Sequence, residues 1–121
     1  MIVGIGVDVV DLARFERALD RTPALRARLF TDAEQRQGDR MLALRSLAGR
    51  FAAKEALMKA LGESTGVRWH DMQVVSSADG NPSFVLSGAA ETIARGLGIT
   101  AMHLSMSHDG GIAIAYVVVE S

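Results

Sequence analysis

The order of elements in this sequence predicts an α+β fold, and three observations carry that expectation. The chain opens with an apolar, β-branched run, Ile2–Val10, that reads as a buried strand. A block of helical segments follows, the longest over Met41–Leu61. The second half is mostly strands, in two pairs separated by glycine-containing turns. The 121 residues fit a single domain over 1–121. A domain of that size buries about 65% of its unfolded surface.

Each element has a local reason. Asp11 is placed to cap a helix from Leu12 to about Asp20, with Leu12, Phe15 and Leu19 on one face. Pro23 interrupts it, and a short helical piece runs on to Phe30. Thr31 with Glu34 three residues later has the form of a capping box, and Gly38 breaks the piece it opens. The helix over Met41–Leu61 is about 30 Å long at 1.5 Å per residue, and Gly62 ends it. Met72–Ser76 and Ser83–Leu86 form a hairpin around Asp79-Gly80-Asn81-Pro82. Ser87–Leu97 is a helix closed by Gly96 and Gly98. Thr100–Ser107 and Ile112–Val119 are strands around a His108-Asp109-Gly110-Gly111 turn.

Composition excludes several classes of function. The net charge of −1 argues against nucleic-acid or polybasic membrane binding by the chain as a whole. With no cysteine, disulfides, thiolate metal sites and cysteine nucleophiles are excluded. No apolar run is long enough to span a bilayer, and the N-terminus lacks the pattern of a signal peptide, so the expected location is the cytoplasm. Charge is nevertheless uneven. Arg14, Arg17, Arg21, Arg26 and Arg28 face only Glu16 and Asp20 in their segment. Eleven of the 13 basic residues are arginine, and the two lysines, Lys54 and Lys59, lie in one short stretch.

Three places could carry chemistry. Strand alternation puts Gly4, Gly6 and Asp8 on one face of the first strand and Val3, Ile5, Val7 and Val9 on the other. The expected core is the valine–isoleucine face. The bare glycine face would then admit a ligand or another backbone and end in a carboxylate, although Asp8 could equally cap the following turn or meet an arginine. On the long helix, Glu55 falls within the stripe Leu44, Ala48, Phe51, Met58, Gly62, where an ionised carboxylate needs a partner such as Lys59 one turn on. A rotated stripe would leave the two as an exposed pair of little energetic weight. Two carboxylates on separate rigid elements, with a lysine, fit a hard divalent cation such as Mg²⁺, which takes one or two carboxylates and completes its shell with water and phosphate. Ser105, His108 and Asp109 cannot form a catalytic triad among themselves, because adjacent residues of a strand point to opposite faces. Arg14, Arg17 and Arg21, at i, i+3 and i+7, line one helix face, either solvated or docking an acidic partner.

Ile2-Val3-Gly4-Ile5-Gly6-Val7-Asp8-Val9-Val10 with Arg14-Phe15, and Phe51-Ala52-Ala53-Lys54-Glu55-Ala56-Leu57-Met58-Lys59-Ala60-Leu61-Gly62, resemble the two main signatures of a known family. Trp69, Gly80-Asn81-Pro82 and Ser105-Met106-Ser107-His108 fall in the same order. Over essentially its whole length the chain resembles the bacterial holo-[acyl-carrier-protein] synthases, the short type of 4′-phosphopantetheinyl transferase. The resemblance implies a long helix packed on a small antiparallel-rich sheet, assembled as a homotrimer with coenzyme A in clefts between subunits. It implies transfer of 4′-phosphopantetheine from coenzyme A to a serine of an acidic acyl carrier protein, with release of adenosine 3′,5′-bisphosphate. It further implies Mg²⁺ held by Asp8 and Glu55, with Lys59 near the pyrophosphate. Asn81, Pro82 and His108 border the nucleotide in that picture, and Arg14, Arg17 and Arg21 meet the carrier. The serine's base is either Glu55 or a water held by Asp8. Asp109, a candidate beside His108, departs from common members and inherits no role. A Mg²⁺-dependent phosphohydrolase using the same carboxylates and a non-enzymatic nucleotide-binding adaptor are the rival readings.

Overall fold

A computed structural model describes all residues from Met1 to Ser121. The elements in chain order are β1 (Ile2–Asp11), α1 (Leu12–Arg21), α2 (Leu25–Leu29), β2 (Arg36–Gln37), β3 (Arg40–Met41), α3 (Leu44–Leu61), β4 (Met72–Ser76), β5 (Pro82–Leu86), α4 (Gly88–Gly96), β6 (Ala101–Asp109) and β7 (Ile112–Glu120). Short 3₁₀ turns occupy Ala33–Gln35 and Trp69–Asp71. The fold is α+β, as the order of elements predicts.

Strands β1, β7 and β6 form an antiparallel sheet in that order. Helix α3 lies across one face of it, and the separate β4–β5 hairpin packs on the helix from another side. Enclosed in this way, α3 is buried almost all round: Leu47, Ala48, Ala52, Ala53, Ala56 and Leu57 have no exposure. Only the line Phe51, Glu55, Met58, Lys59 opens toward solvent along the middle of the helix.

Local signals place several boundaries. Asp11 caps α1, its Oδ2 accepting from the Arg14 N–H at 2.9 Å. The Thr31–Glu34 box closes in both directions, at 3.0 and 3.2 Å. Gly62 ends α3 in the left-handed region, at φ 74°. Two boundaries differ from expectation. Helix α3 starts at Leu44 because Met41 belongs to the β2–β3 hairpin turned at Gly38. His108 and Asp109 are strand residues, paired with Ala113 and Ile112. The turn shrinks to Gly110-Gly111, whose φ values of 55° and 82° suit a two-residue hairpin.

The larger correction concerns the two faces of β1. The core lies against the glycine face, and the face of Val3, Ile5, Val7 and Val9 is exposed, Ile5 by 53% and Val9 by 54%. A Cβ on Gly4 would lie 1.9 Å from the carbonyl oxygen of Ala60, and one on Gly6 1.8 Å from that of Ala56. The glycines admit the backbone of α3 rather than a ligand. Register carries the same division across the sheet. Gly6, Val117 and Leu104 share the inner face, while Val7, Tyr116 and Ser105 share the outer one. The outer face is thus an apolar strip, with Ile112 and Tyr116 also exposed, bordered by the polar side chains of β6.

Candidate functional site

Helix α3 separates two clefts of opposite character. On the acid side, β1 supplies Asp8, the inner-face residue after Gly6, and α3 supplies Glu55 and Lys59. The Lys59 ammonium donates to the Val7 carbonyl at 2.9 Å and to Asp8 Oδ1 at 3.1 Å. Asp8 is the more enclosed partner, 18% exposed against 54% for Lys59. The expected pairing of Lys59 with Glu55 is therefore replaced by a pairing across to β1, where a backbone carbonyl adds a second acceptor.

Glu55 is half-buried at the edge of the same cleft, lined also by Arg14, Phe15 and Phe51. Burial raises its carboxyl above the ordinary value, the negative charge of Asp8 raises it further, and Lys59 opposes both. The two carboxylates are thus in electrostatic reach, and an added cation would relieve their repulsion. Their hard oxygen donors suit Mg²⁺. They are two rather than three, since no cluster of three or more His, Cys, Asp or Glu side chains is gathered anywhere in the structure. A cation held there has to take the rest of its shell from water or a ligand.

The walls of this cleft are fixed by aromatic packing. Phe15 of α1 stacks on Phe51 at 5.4 Å between ring centres, and Phe51 meets Trp69 at 5.5 Å. Arg14, Arg17 and Arg21 are all exposed on α1, whose first turn borders the acid cleft.

The basic side faces the other way. At about 100° per residue, Ser46, Gly49 and Arg50 point between about 120° and 180° away from Glu55 around the helix. They line a cleft of about 290 Å³ with Arg45, Gly80 and His108. Arg50 is nearly buried and donates to the Val74 carbonyl at 2.9 Å. His108 reaches this cleft because it lies on the inner face of β6, while Asp109 lies on the outer face and accepts from the Gly110 N–H. The tip of the β4–β5 hairpin enters through Gly80, next to the exposed Asn81, and Pro82 opens β5. Asp8, Glu55 and Lys59 are therefore brought together, and His108 with the Asn81-Pro82 hairpin is brought together elsewhere. Asp109 joins neither group.

Sequence reading missed the interior pair beneath the site. Lys54 and Glu34 are both fully buried and 2.7 Å apart. The Lys54 ammonium also donates to the carbonyls of Leu29 and Trp69, and Glu34 Oε2 accepts from the Val74 N–H. Every buried side-chain nitrogen and oxygen in the structure finds a partner. The capping box at Glu34 and the presence of lysine in an arginine-rich chain were the available signals.

The model of the 4′-phosphopantetheinyl transferase superfamily matches residues 4–117. A holo-[acyl-carrier-protein] synthase of Leifsonia xyli subsp. xyli is 63% identical over 120 residues, spanning 99% of this chain and 98% of that protein. One of Micrococcus luteus is 56% identical over 122 residues, spanning 99% and 93%. Among solved structures, the holo-[acyl-carrier-protein] synthase of Neisseria meningitidis superposes with a TM-score of 0.89 at 34% identity, over all of both chains. That of Helicobacter pylori, in complex with coenzyme A, superposes with a TM-score of 0.81 at 32% identity, covering 96% of this chain and 99% of that one.

Proposed function

This chain belongs to the 4′-phosphopantetheinyl transferase superfamily, and from that premise we propose that it is a Mg²⁺-dependent holo-[acyl-carrier-protein] synthase. It transfers 4′-phosphopantetheine from coenzyme A to a serine of an apo acyl carrier protein and releases adenosine 3′,5′-bisphosphate. The whole chain, 1–121, acts as one transferase domain in the cytoplasm, activating carriers for fatty-acid synthesis; no helix is long and apolar enough to cross a membrane. The single observation that carries this reading is the meeting of Asp8, Glu55 and Lys59 in a cleft beside an arginine-bearing helix.

The chemistry follows from that geometry. Asp8 and Glu55 would hold the cation. When bound, it supplies charge neutralisation for the pyrophosphate and for the negative charge growing on the leaving group. The carrier serine oxygen forms a bond to the phosphorus of the pantetheine phosphate, and the bond from that phosphorus to the bridging oxygen breaks. The serine proton passes to Glu55 or to a water held by Asp8. Lys59, anchored on Val7 and Asp8, places its ammonium where it stabilises the departing bisphosphate. Phosphates leave the acid cleft poorly matched without cations, and Arg14 and Lys59 provide them at its rim.

The basic cleft of Arg45, Arg50 and His108 suits the remaining phosphate of coenzyme A, bordered by Asn81 and Pro82. Within one chain α3 stands between that cleft and the acid one. We therefore place coenzyme A between subunits, with the acid side of one copy and the basic side of its neighbour. The exposed face of Val3, Ile5, Val7, Val9 and Tyr116 supplies an apolar surface for a homotrimer. Arg14, Arg17 and Arg21 dock the acidic carrier protein.

The test is mass spectrometry of an apo acyl carrier protein incubated with the enzyme, coenzyme A and Mg²⁺. Addition of the phosphopantetheine mass at the carrier serine is the expected result. Release of bisphosphate at the same rate without carrier would instead identify a hydrolase.

A further inference from the structure

We infer that Gly4 and Gly6 are positioning residues for the acid site, fixing α3 close enough to β1 for Glu55 and Lys59 to act together with Asp8. The inference rests on the reading of Asp8 and Glu55 as cation ligands and adds the device that spaces them.

Each glycine faces one residue of α3 that directly follows a site residue. Gly6 lies against Ala56, next to Glu55, and Gly4 lies against Ala60, next to Lys59. A methyl on Gly6 would stand 1.8 Å from the Ala56 oxygen, 2.8 Å from its carbonyl carbon and 2.9 Å from the Ala60 nitrogen. The obstacles are helix backbone, not the flexible end of a side chain. Real Cβ atoms essentially never come within 3.0 Å of a neighbour, so a methyl on Gly6 forces strand and helix backbone apart. Rotation of the helix is resisted by Lys54 on its far side, held by three hydrogen bonds, to Leu29, Glu34 and Trp69. The consequence falls on the site, since Asp8 is the next inner-face residue after Gly6. Lys59 now meets Val7 and Asp8 at 2.9 and 3.1 Å, and a displacement of about 1 Å is enough to cost on the order of 100-fold where geometry is critical.

The experiment measures Mn²⁺ binding by electron paramagnetic resonance, with and without coenzyme A, together with the melting temperature of each variant. Gly4→Ala and Gly6→Ala are compared with Leu57→Ala, which opens a cavity on α3 and lowers stability without forcing the helix off the strand. Gly4→Ala is expected to weaken Mn²⁺ binding at least about 10-fold and Gly6→Ala more, while Leu57→Ala leaves it near wild type at a similar loss of melting temperature. Should Gly6→Ala not fold, Gly4→Ala decides, and a second variant adds reach. Asp8→Glu weakens binding in the wild-type background but recovers part of it in Gly4→Ala. Unchanged affinity in a folded Gly4→Ala, or equal losses in Gly4→Ala and Leu57→Ala, would overturn the positioning role alone. Unchanged affinity in Asp8→Asn and Glu55→Gln would overturn the carboxylate site itself, and the positioning role with it.

Discussion

The two clefts beside α3 differ in the charge of their linings. On one side Asp8 and Glu55 line one cleft, and Lys59, bonded to Asp8, lines an adjoining one with Glu55. On the other Arg45, Arg50 and His108 line a cleft closed by the β4–β5 hairpin. Neither alone supplies everything the proposed coenzyme A site needs. The acid side has the carboxylates the proposed cation and transfer need, but little to grip a distal phosphate. The basic side can grip a phosphate but has no carboxylate to organise chemistry. On the proposed reading, this short chain divides binding from reaction across a helix, and a second copy restores their union.

Disabling the acid side should have the largest effect. Asp8→Ala and Glu55→Ala are each expected to lower kcat/KM for transfer by at least about 100-fold, with circular dichroism unchanged. Retention of most activity in either variant would remove reaction from that side. On the basic side, Arg45→Ala combined with His108→Ala should raise KM for coenzyme A about 10-fold and leave kcat nearly intact, the mark of lost ground-state binding. A fall in kcat with KM unchanged would make that side catalytic and blur the division.

The carrier dock is a weaker lever, because exposed charge pairs contribute little each, typically under about 1 kcal/mol. Arg14→Glu with Arg21→Glu should raise KM for the carrier severalfold and that for coenzyme A little. The wild-type carrier KM should climb more steeply with ionic strength than that of the double variant. Equal salt slopes would place the docking surface elsewhere.

The smallest expected effect is on stability. Burial and the charge of Asp8 raise the Glu55 carboxyl, so the folded protein without cation binds that proton more tightly than the unfolded chain. Stability contributed by the protonated group is present below the ordinary carboxylate value and is lost as pH rises through the raised one. Glu55→Gln escapes this loss. Without divalent cations its melting temperature should exceed wild type by about 2 °C at neutral pH, and the gap should close in acid. A constant gap in scanning calorimetry across pH would show that neither burial nor the charge of Asp8 raises the Glu55 carboxyl.

What was legible in the sequence was local. Asp11 capping α1, the Thr31–Glu34 box and the stop at Gly62 each depend on residues within a few positions, and the structure has all three. The faces of β1 depended on space rather than hydrophobicity. Valines and isoleucines could have faced the core, but only glycines let α3 approach, so the apolar side was left outward. The meeting of Asp8 with Lys59 spans 51 positions, and that of Lys54 with Glu34 spans 20. No periodicity within one element reports either. The two lysines, five residues apart, show the limit: Lys54 is sealed in the interior, and Lys59 is open at the cleft. Their spacing on a helix separates their faces but does not say which is which.

In the proposed arrangement, one active site is built from the acid side of one subunit and the basic side of another. Subunit mixing tests it most directly. Asp8→Asn and His108→Ala proteins, each defective alone, are dissociated, combined and reassembled, and phosphopantetheine transfer is measured at low coenzyme A. A shared site predicts that the mixture regains activity well above the sum of its parts, because some interfaces join an intact Asp8 to an intact His108. Activity no greater than that sum, in assemblies shown by native mass spectrometry to contain both variants, would contradict it.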